Sequence, residues 1–338
     1  MENQKQTRNM TLDVFKLIAA FMVVFIHVSF DGNVGVIISA IARFAVPLFF
    51  FTSGFFSYNN DAKKIKKKIK KILILYLVAF VVYFLYQIAY CLQEGGVSML
   101  TTYLKGVFSL KSILYFLVFN EAKIGGHLWF LLSLLYVYLI WLLVVKFNLK
   151  QKVILVLAVI TLLIHVVLGE LLGAFGIVIP NVYIRNFALM GFPFFALGHV
   201  VNANKEKFAN VKTVYAIIGL IFGVAETLVS RYLLGNRELF IGSLGILFFI
   251  VVISLKYPNK RYPKLLEQLT TTTTDIYVFH VVISLLGLGA LARLGINVKN
   301  VVFRNVWPIV VIIIAIAFSQ ILTAIKKAIK LKKKPKEN

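Results

Sequence analysis

The chain has 338 residues, 60% of them hydrophobic, and a formal net charge of +24 from 37 Lys and Arg against 13 Asp and Glu. That apolar fraction excludes a soluble domain and points to an all-α polytopic integral membrane protein. The single Cys91 excludes an internal disulfide and a multi-cysteine metal site. The positive charge sits in short segments between apolar runs, where it sets topology and meets anionic lipid rather than nucleic acid.

Apolar runs predict about ten transmembrane helices, at 12–30, 34–57, 70–92, 127–147, 152–172, 182–201, 212–233, 239–256, 274–294 and 302–325. The N-terminal MENQKQTRN followed by an apolar run resembles a signal peptide. Asp13 and Lys16 interrupt that run and no small-x-small cleavage site follows, so it reads as a retained first span. The stretch 97–119 is apolar but broken by Lys105, Gly106 and Lys111, and reads as an interfacial or re-entrant helix or as an eleventh span, which would break the alternation of basic loops downstream. With the N-terminus in the cytoplasm, 26 basic residues fall on the inner side and eight on the outer. That excess predicts both termini inside, with residues 1–338 forming one membrane-embedded domain that ends in a basic tail, 326–338. No sequence repeat of the kind that builds inverted-repeat transporters is visible.

The first two spans carry the densest set of buried charges. NMTLDVFKLIAAFMVVFIHVSF holds Asp13, Lys16 and His27, and VGVIISAIARFAVPLFFFTSGFF holds Arg43. A charge at bilayer depth costs roughly 3 kcal/mol or more, so such groups usually face a polar cavity and act there. Lys16 and His27 are eleven residues apart, which returns them to nearly one helix face, about 16 Å apart along the axis. An internal ion pair locking the two helices is the alternative. His27 is the candidate general base, because a neutral imidazole in a partly dry site can take a hydroxyl proton near neutral pH. Asp31, one turn on, is placed to orient it. Arg43 shares a face with Pro47, Phe50 and Gly54, and Pro47 removes the amide that would bond the Arg43 carbonyl. Ser53 beside Gly54 is a weak nucleophile candidate.

Further along, DAKKIKKKIKK at 61–71 is the densest positive patch. It reads as a topology signal or as an electrostatic landing site for a phosphorylated cytosolic donor. GHLWFLLSLLYVYL opens the fourth span with His127 and Trp129 at the outer interface. Arg185 and Asn186 open the sixth span, which Pro193 breaks midway. Arg185 can hold a carboxylate or phosphate, or snorkel to the surface. Glu226 in the seventh span is expected to neutralise Arg185 or Arg43. The Thr run 270–274 reads as a loop and cap, with Tyr277, His280 and Ser284 on one face of the span that follows. This places Tyr277 and His280 toward the cytoplasm, away from His27. There is no Walker loop, G-x-S-x-G elbow, H-E-x-x-H or dinucleotide fingerprint, which argues against ATP-driven transport and soluble-type hydrolase chemistry.

The order LDVFK…H, RFAVPLFFFTSGFF, a basic stretch, GHLWFLLSLLYVYL, GFPFFALG and IYVFH resembles the integral-membrane acyltransferase 3 family nearly end to end. The resemblance implies about ten spans and transfer of an acyl group, usually acetyl, from cytosolic acetyl-CoA or another acyl-CoA. The acceptor would be a hydroxyl of an envelope glycan or other small molecule, and the setting the bacterial cytoplasmic membrane. The family's basic residue and histidine of the first span fall on Lys16 and His27, and its second-span arginine falls on Arg43. Its CoA-binding basic segment falls within Lys63–Lys71, with Lys67, Lys68, Lys70 and Lys71 as donor-binding candidates beside Tyr277 and His280. His127, Trp129, Arg185, Glu226 and Asp31 are the acceptor-binding candidates, and no metal is implied. Lys16 stands where arginine is common, and the all-lysine patch lacks a bidentate arginine grip on phosphate. The Arg185–Asn186 pair followed by PFFALG also resembles the membrane half of vancomycin-resistance serine racemase–transporters. That likeness implies the alternative of a carrier for a small zwitterion such as serine.

Overall fold

The computed structural model describes residues 8–121 and 123–332. Lys5 and residues 333–338 of the basic tail, counted for topology, lie outside them. Among the described residues there are helices and no strand. In chain order, α1 is Met10–His27, α2 Gly32–Phe55, α3 Ala62–Val107, α4 Leu110–Phe119 and α5 Trp129–Lys146. They are followed by α6 Gln151–Ala174, α7 Phe187–Ala203, α8 Thr213–Leu234, α9 Gly242–Lys256, α10 Lys264–Arg293 and α11 Val301–Lys332.

Each of the ten expected spans falls on a helix, and among the described residues eight helices are long and apolar enough to cross a membrane. The sixth and eighth expected spans are shorter, at α7 and α9. Asn186 explains the first case. It is not within the span but caps it, its Oδ1 accepting from the amides of Ala188 and Leu189 at 3.0 Å each. The stretch 97–119 extends α3 past a kink and then forms α4. The kink sits at Gly96, whose φ of 63° is open to glycine and rare for other residues.

The chain forms two compact units, Met1–Arg8 with Val46–Tyr257 and Asn9–Ala45 with Pro258–Asn338, and the division falls within α2. In the first unit α5 is apolar on every face and buried on nearly every face, as a central helix must be. The end of α2 crosses α7 with backbones in contact. A Cβ on Gly54 would strike the Phe195 carbonyl, and one on Gly198 would strike the Phe51 carbonyl. Small residues allow this approach, which membrane helices use in place of hydrophobic association. Two chain-distant side chains take up orphan carbonyls where α2 ends. Asn202 Nδ2 donates to Phe55 O at 2.7 Å and Lys68 Nζ to Phe56 O at 2.5 Å. On α3, Ile74, Leu77, Val81 and Leu85 are exposed, as lipid-facing residues would be.

In the second unit α1 packs against α10 and α11. Asn9 caps α1, accepting from the Leu12 amide at 2.9 Å. Trp307 Nε1 donates to Ser284 Oγ at 3.0 Å, joining α11 to α10. Ser319 Oγ donates to Asp275 Oδ2 at 2.7 Å, so Asp275 serves α11 as well as its own helix.

Candidate active site

The expected site residues divide between the units. The second unit holds Lys16, His27, Asp31, Arg43, Tyr277 and His280. His27 is the last residue of α1, and of the five histidines it alone is exposed. Its ring lies 5.3 Å, centroid to centroid, from that of His280, which is fully buried. This overturns the placement of His280 in a separate, cytoplasmic group. The Thr run is no loop. Thr270–Thr272 form a 3₁₀ turn inside α10, and the hydroxyls of Thr270, Thr271, Thr272 and Thr273 each donate three residues back to a carbonyl at 2.7–2.9 Å. A β-branched run with its hydroxyls satisfied this way stays helical. The helix therefore starts at Lys264 rather than 274, and His280 falls near its middle.

Asp31, expected to orient His27, is held elsewhere. Its Oδ1 pairs with Arg304 Nη1 at 2.7 Å and its amide donates to Asn305 Oδ1 at 3.0 Å. Lys16 pairs with Asp13 at 3.0 Å within α1. Arg43 is half-buried in the 3₁₀ turn Ala42–Phe44. That turn lies where the missing Pro47 amide interrupts the α-helical ladder. Tyr277 is buried one turn before His280, with ring centroids 6.3 Å apart.

The first unit holds the remaining candidates. Lys63, Lys64, Lys66, Lys67, Lys70 and Lys71 are exposed, and Asp61 caps their helix by accepting from the Lys64 amide at 2.7 Å. Lys68 turns inward. Besides Phe56 O it donates to Ser57 Oγ at 2.8 Å and lies over the Tyr138 ring at 5.8 Å. Ser53 donates to Phe49 O at 2.8 Å, so its hydroxyl is bound to its own helix.

Arg185 precedes α7 rather than lying inside it. Its guanidinium lies 5.5 Å from the Trp129 ring centre and pairs with Glu238 at 3.6 Å. A stacked guanidinium is held in plane by the indole and in direction by the carboxylate. Asn181 Nδ2 donates to the same Glu238 oxygen at 2.8 Å. His127 is buried with its ring against Tyr83 at 4.8 Å, rather than standing at an open lip.

Glu226 does not pair with Arg185. It accepts from the Gly242 amide and from Ser230 Oγ at 2.5 Å, while Glu170 Oε2 accepts from the Ile241 amide at 3.0 Å. The residue before α9 is Ile241, which has no capping side chain, so carboxylates of α6 and α8 supply the cap. Little in the sequence points to Glu238 or Asn120. Asn120, wholly buried in a left-handed turn, accepts from the Phe187 amide at 2.7 Å and so seats the start of α7. Glu170 did carry a signal, as an acidic residue within an apolar span.

Several helices long and apolar enough to span a bilayer define a multi-pass membrane protein. The family model described as an acyltransferase domain, acyltransferase 3, matches residues 10–324. The chain belongs to that family, and the protein is a membrane acyltransferase. No curated protein and no solved structure matches the chain.

Proposed function

We propose that the protein moves an acyl group, acetyl in the simplest case, from cytosolic acyl-CoA to a hydroxyl of a cell-envelope carbohydrate or other small acceptor. The observation that carries this is the position of His27 at the end of α1, exposed while the other four histidines are buried or half-buried. His27 removes the proton from the acceptor hydroxyl. The hydroxyl oxygen attacks the thioester carbonyl, and the C–S bond breaks. The proton on the imidazolium passes to the leaving CoA thiolate. Arg43 stabilises the oxyanion on the carbonyl, a role worth more in a dry site than in water. Lys16 stands about 16 Å along α1 from His27, which suits holding the donor rather than the reacting atoms. The exposed Lys67, Lys70 and Lys71 attract the CoA phosphates, with the bacterial cytoplasmic membrane as the setting and the lysines on its inner side.

The test is acetyl-CoA binding and CoA release by purified protein in detergent, wild type beside His27→Ala and a triple Lys67, Lys70, Lys71→Gln variant. Saturable binding that weakens in the lysine variant, and release that falls by roughly 10²-fold or more in His27→Ala, are expected. No binding up to about 1 mM donor, the upper end of ordinary substrate constants, overturns the reading.

A further inference from the structure

We propose that Glu238 is a specificity-determining residue: it cancels the charge of Arg185, so that the subsite they share takes an uncharged polyhydroxylated acceptor and refuses an anionic one. This rests on the hydroxyl acceptor inferred above. The subsite lies wholly within the first unit, at Trp129, Asn181, Arg185 and Glu238.

Local structure brings the four together. Asn181–Ile184 is a single helical turn, and the Arg185 amide closes it on the Asn181 carbonyl at 2.7 Å. Residues four apart on such a turn share a side. Trp129, the first residue of α5, is buried and supplies the surface on which the guanidinium lies, 5.5 Å from the ring centre. Arg185 Nη1 stands 3.6 Å from Glu238 Oε1, past the ordinary hydrogen-bond length of roughly 3 Å. Glu238 therefore balances the charge of Arg185 without taking up the N–H groups of the guanidinium. The close bond to that Oε1 comes from Asn181 Nδ2, at 2.8 Å. It fixes the Asn181 amide with Oδ1 as its accepting end. The Arg185 side chain is 31% exposed and that of Glu238 11%, so the stacked cation is the more accessible partner. An ion pair built only to lock a loop would bring its two charges into contact, whereas here the carboxylate holds the asparagine and the arginine lies on the indole.

A ligand meeting this set finds N–H donors and a carbonyl acceptor on a unit with no net charge. A hydroxyl both donates and accepts, so neighbouring hydroxyls of one sugar satisfy both ends. A carboxylate or phosphate only accepts. It would bond Arg185 but bring its charge against Glu238 and the Asn181 oxygen, and like charges placed together are costly. Without Glu238 the preference would reverse, since an uncompensated arginine holds anions by paired bonds.

The test is ligand binding by the full-length protein in lipid nanodiscs, free of sugar detergents, read by saturation-transfer NMR at neutral pH. The probes are methyl β-D-glucoside and methyl β-D-glucuronide, which differ by a hydroxymethyl against a carboxylate, with L-serine as a third. Wild type is expected to bind the glucoside saturably and more tightly than the glucuronide or serine. Glu238→Gln keeps an acceptor for Asn181 and removes the charge. It is expected to bind the glucuronide roughly tenfold more tightly or better, the scale of a charged hydrogen bond, while its glucoside affinity changes less. A wild type that prefers the glucuronide, fails to bind the glucoside, or binds serine more tightly overturns the inference. So does a Glu238→Gln protein with the wild-type preference. Should Glu238→Gln fail to fold, Arg185→Gln decides: weaker glucoside binding is expected, and unchanged binding overturns the proposal. Acetyl-CoA binding on the same samples separates the two readings. Donor binding without charge selection among the sugars sinks this inference alone. Charge-selective sugar binding with no donor binding sinks the acyl-CoA reading and leaves the role of Glu238 standing.

Discussion

Seven lysines share the stretch 63–71, yet the structure gives them two kinds of work. Lys68 donates to Phe56 O and Ser57 Oγ, closing the end of α2, whereas Lys67, Lys70 and Lys71 point to solvent. Spacing alone does not separate them, because the sequence does not reveal which lysine meets the end of a neighbouring helix. A charged hydrogen bond contributes about 1.5–3 kcal/mol. Lys68→Met is therefore expected to lower the melting temperature measurably while leaving acetyl-CoA affinity within about threefold. Neutralising Lys67, Lys70 and Lys71 should do the reverse. Donor titrations and thermal unfolding on both proteins check this, and loss of donor affinity in Lys68→Met with an unchanged melting temperature would reassign Lys68 to the donor. Asp31 poses a similar question. Its pair with Arg304 is partly exposed, with side chains 23% and 49% accessible, and such pairs contribute at most about 1 kcal/mol. Asp31→Asn is expected to release CoA within about twofold of wild type. A drop as deep as that of His27→Ala would restore Asp31 as the orienting group.

At the scale of elements, α9 shows why some helix ends resist sequence reading. A helix start is ordinarily marked by Ser, Thr, Asp or Asn just before it, and at Ile241 there is none. The cap comes from Glu170 and Glu226, 71 and 16 residues away in sequence. Glu226 was visible as an acidic residue in an apolar span, but a charge in a span does not name its partner. Arginine is the expected partner, but the structure supplies the Gly242 amide and the Ser230 hydroxyl. Glu226→Ala is expected to lower stability by about 1–2 kcal/mol, the range for lost caps. Glu226→Gln, which keeps an accepting oxygen, should lose less. Equal losses in unfolding midpoints for the two would exclude the capping role. The Thr run errs in the opposite direction. Four hydroxyls donating back along the helix turn an apparent loop into the start of α10. That one local choice decides whether His280 lies near the cytoplasmic edge or beside His27.

Over the whole molecule, the apolar segments were readable because a bilayer demands about 20 apolar residues per crossing, and each expected segment falls on a helix. Depth within those segments was not, because a residue's level depends on where its helix begins, and α7 and α10 begin where side-chain hydrogen bonds put them. Orientation rests on a different quantity, the 26 basic residues on one side against eight on the other. Lysine and arginine near span ends resist translocation, so the richer side is expected in the cytoplasm. Ten crossings would return the chain to the side where it began. Cys91 is buried, so a Cys91→Ser background accepts single reporter cysteines at exposed positions. Lys67→Cys and Lys150→Cys are expected to react with a membrane-impermeant maleimide only after cells are opened. Lys111→Cys and Lys299→Cys are expected to react in intact cells. The opposite pattern throughout would invert the protein and put the lysine patch out of reach of a cytosolic donor. A Lys299→Cys label from inside, with Lys111→Cys still outside, would mean that one of the two shorter helices, α7 or α9, does not cross.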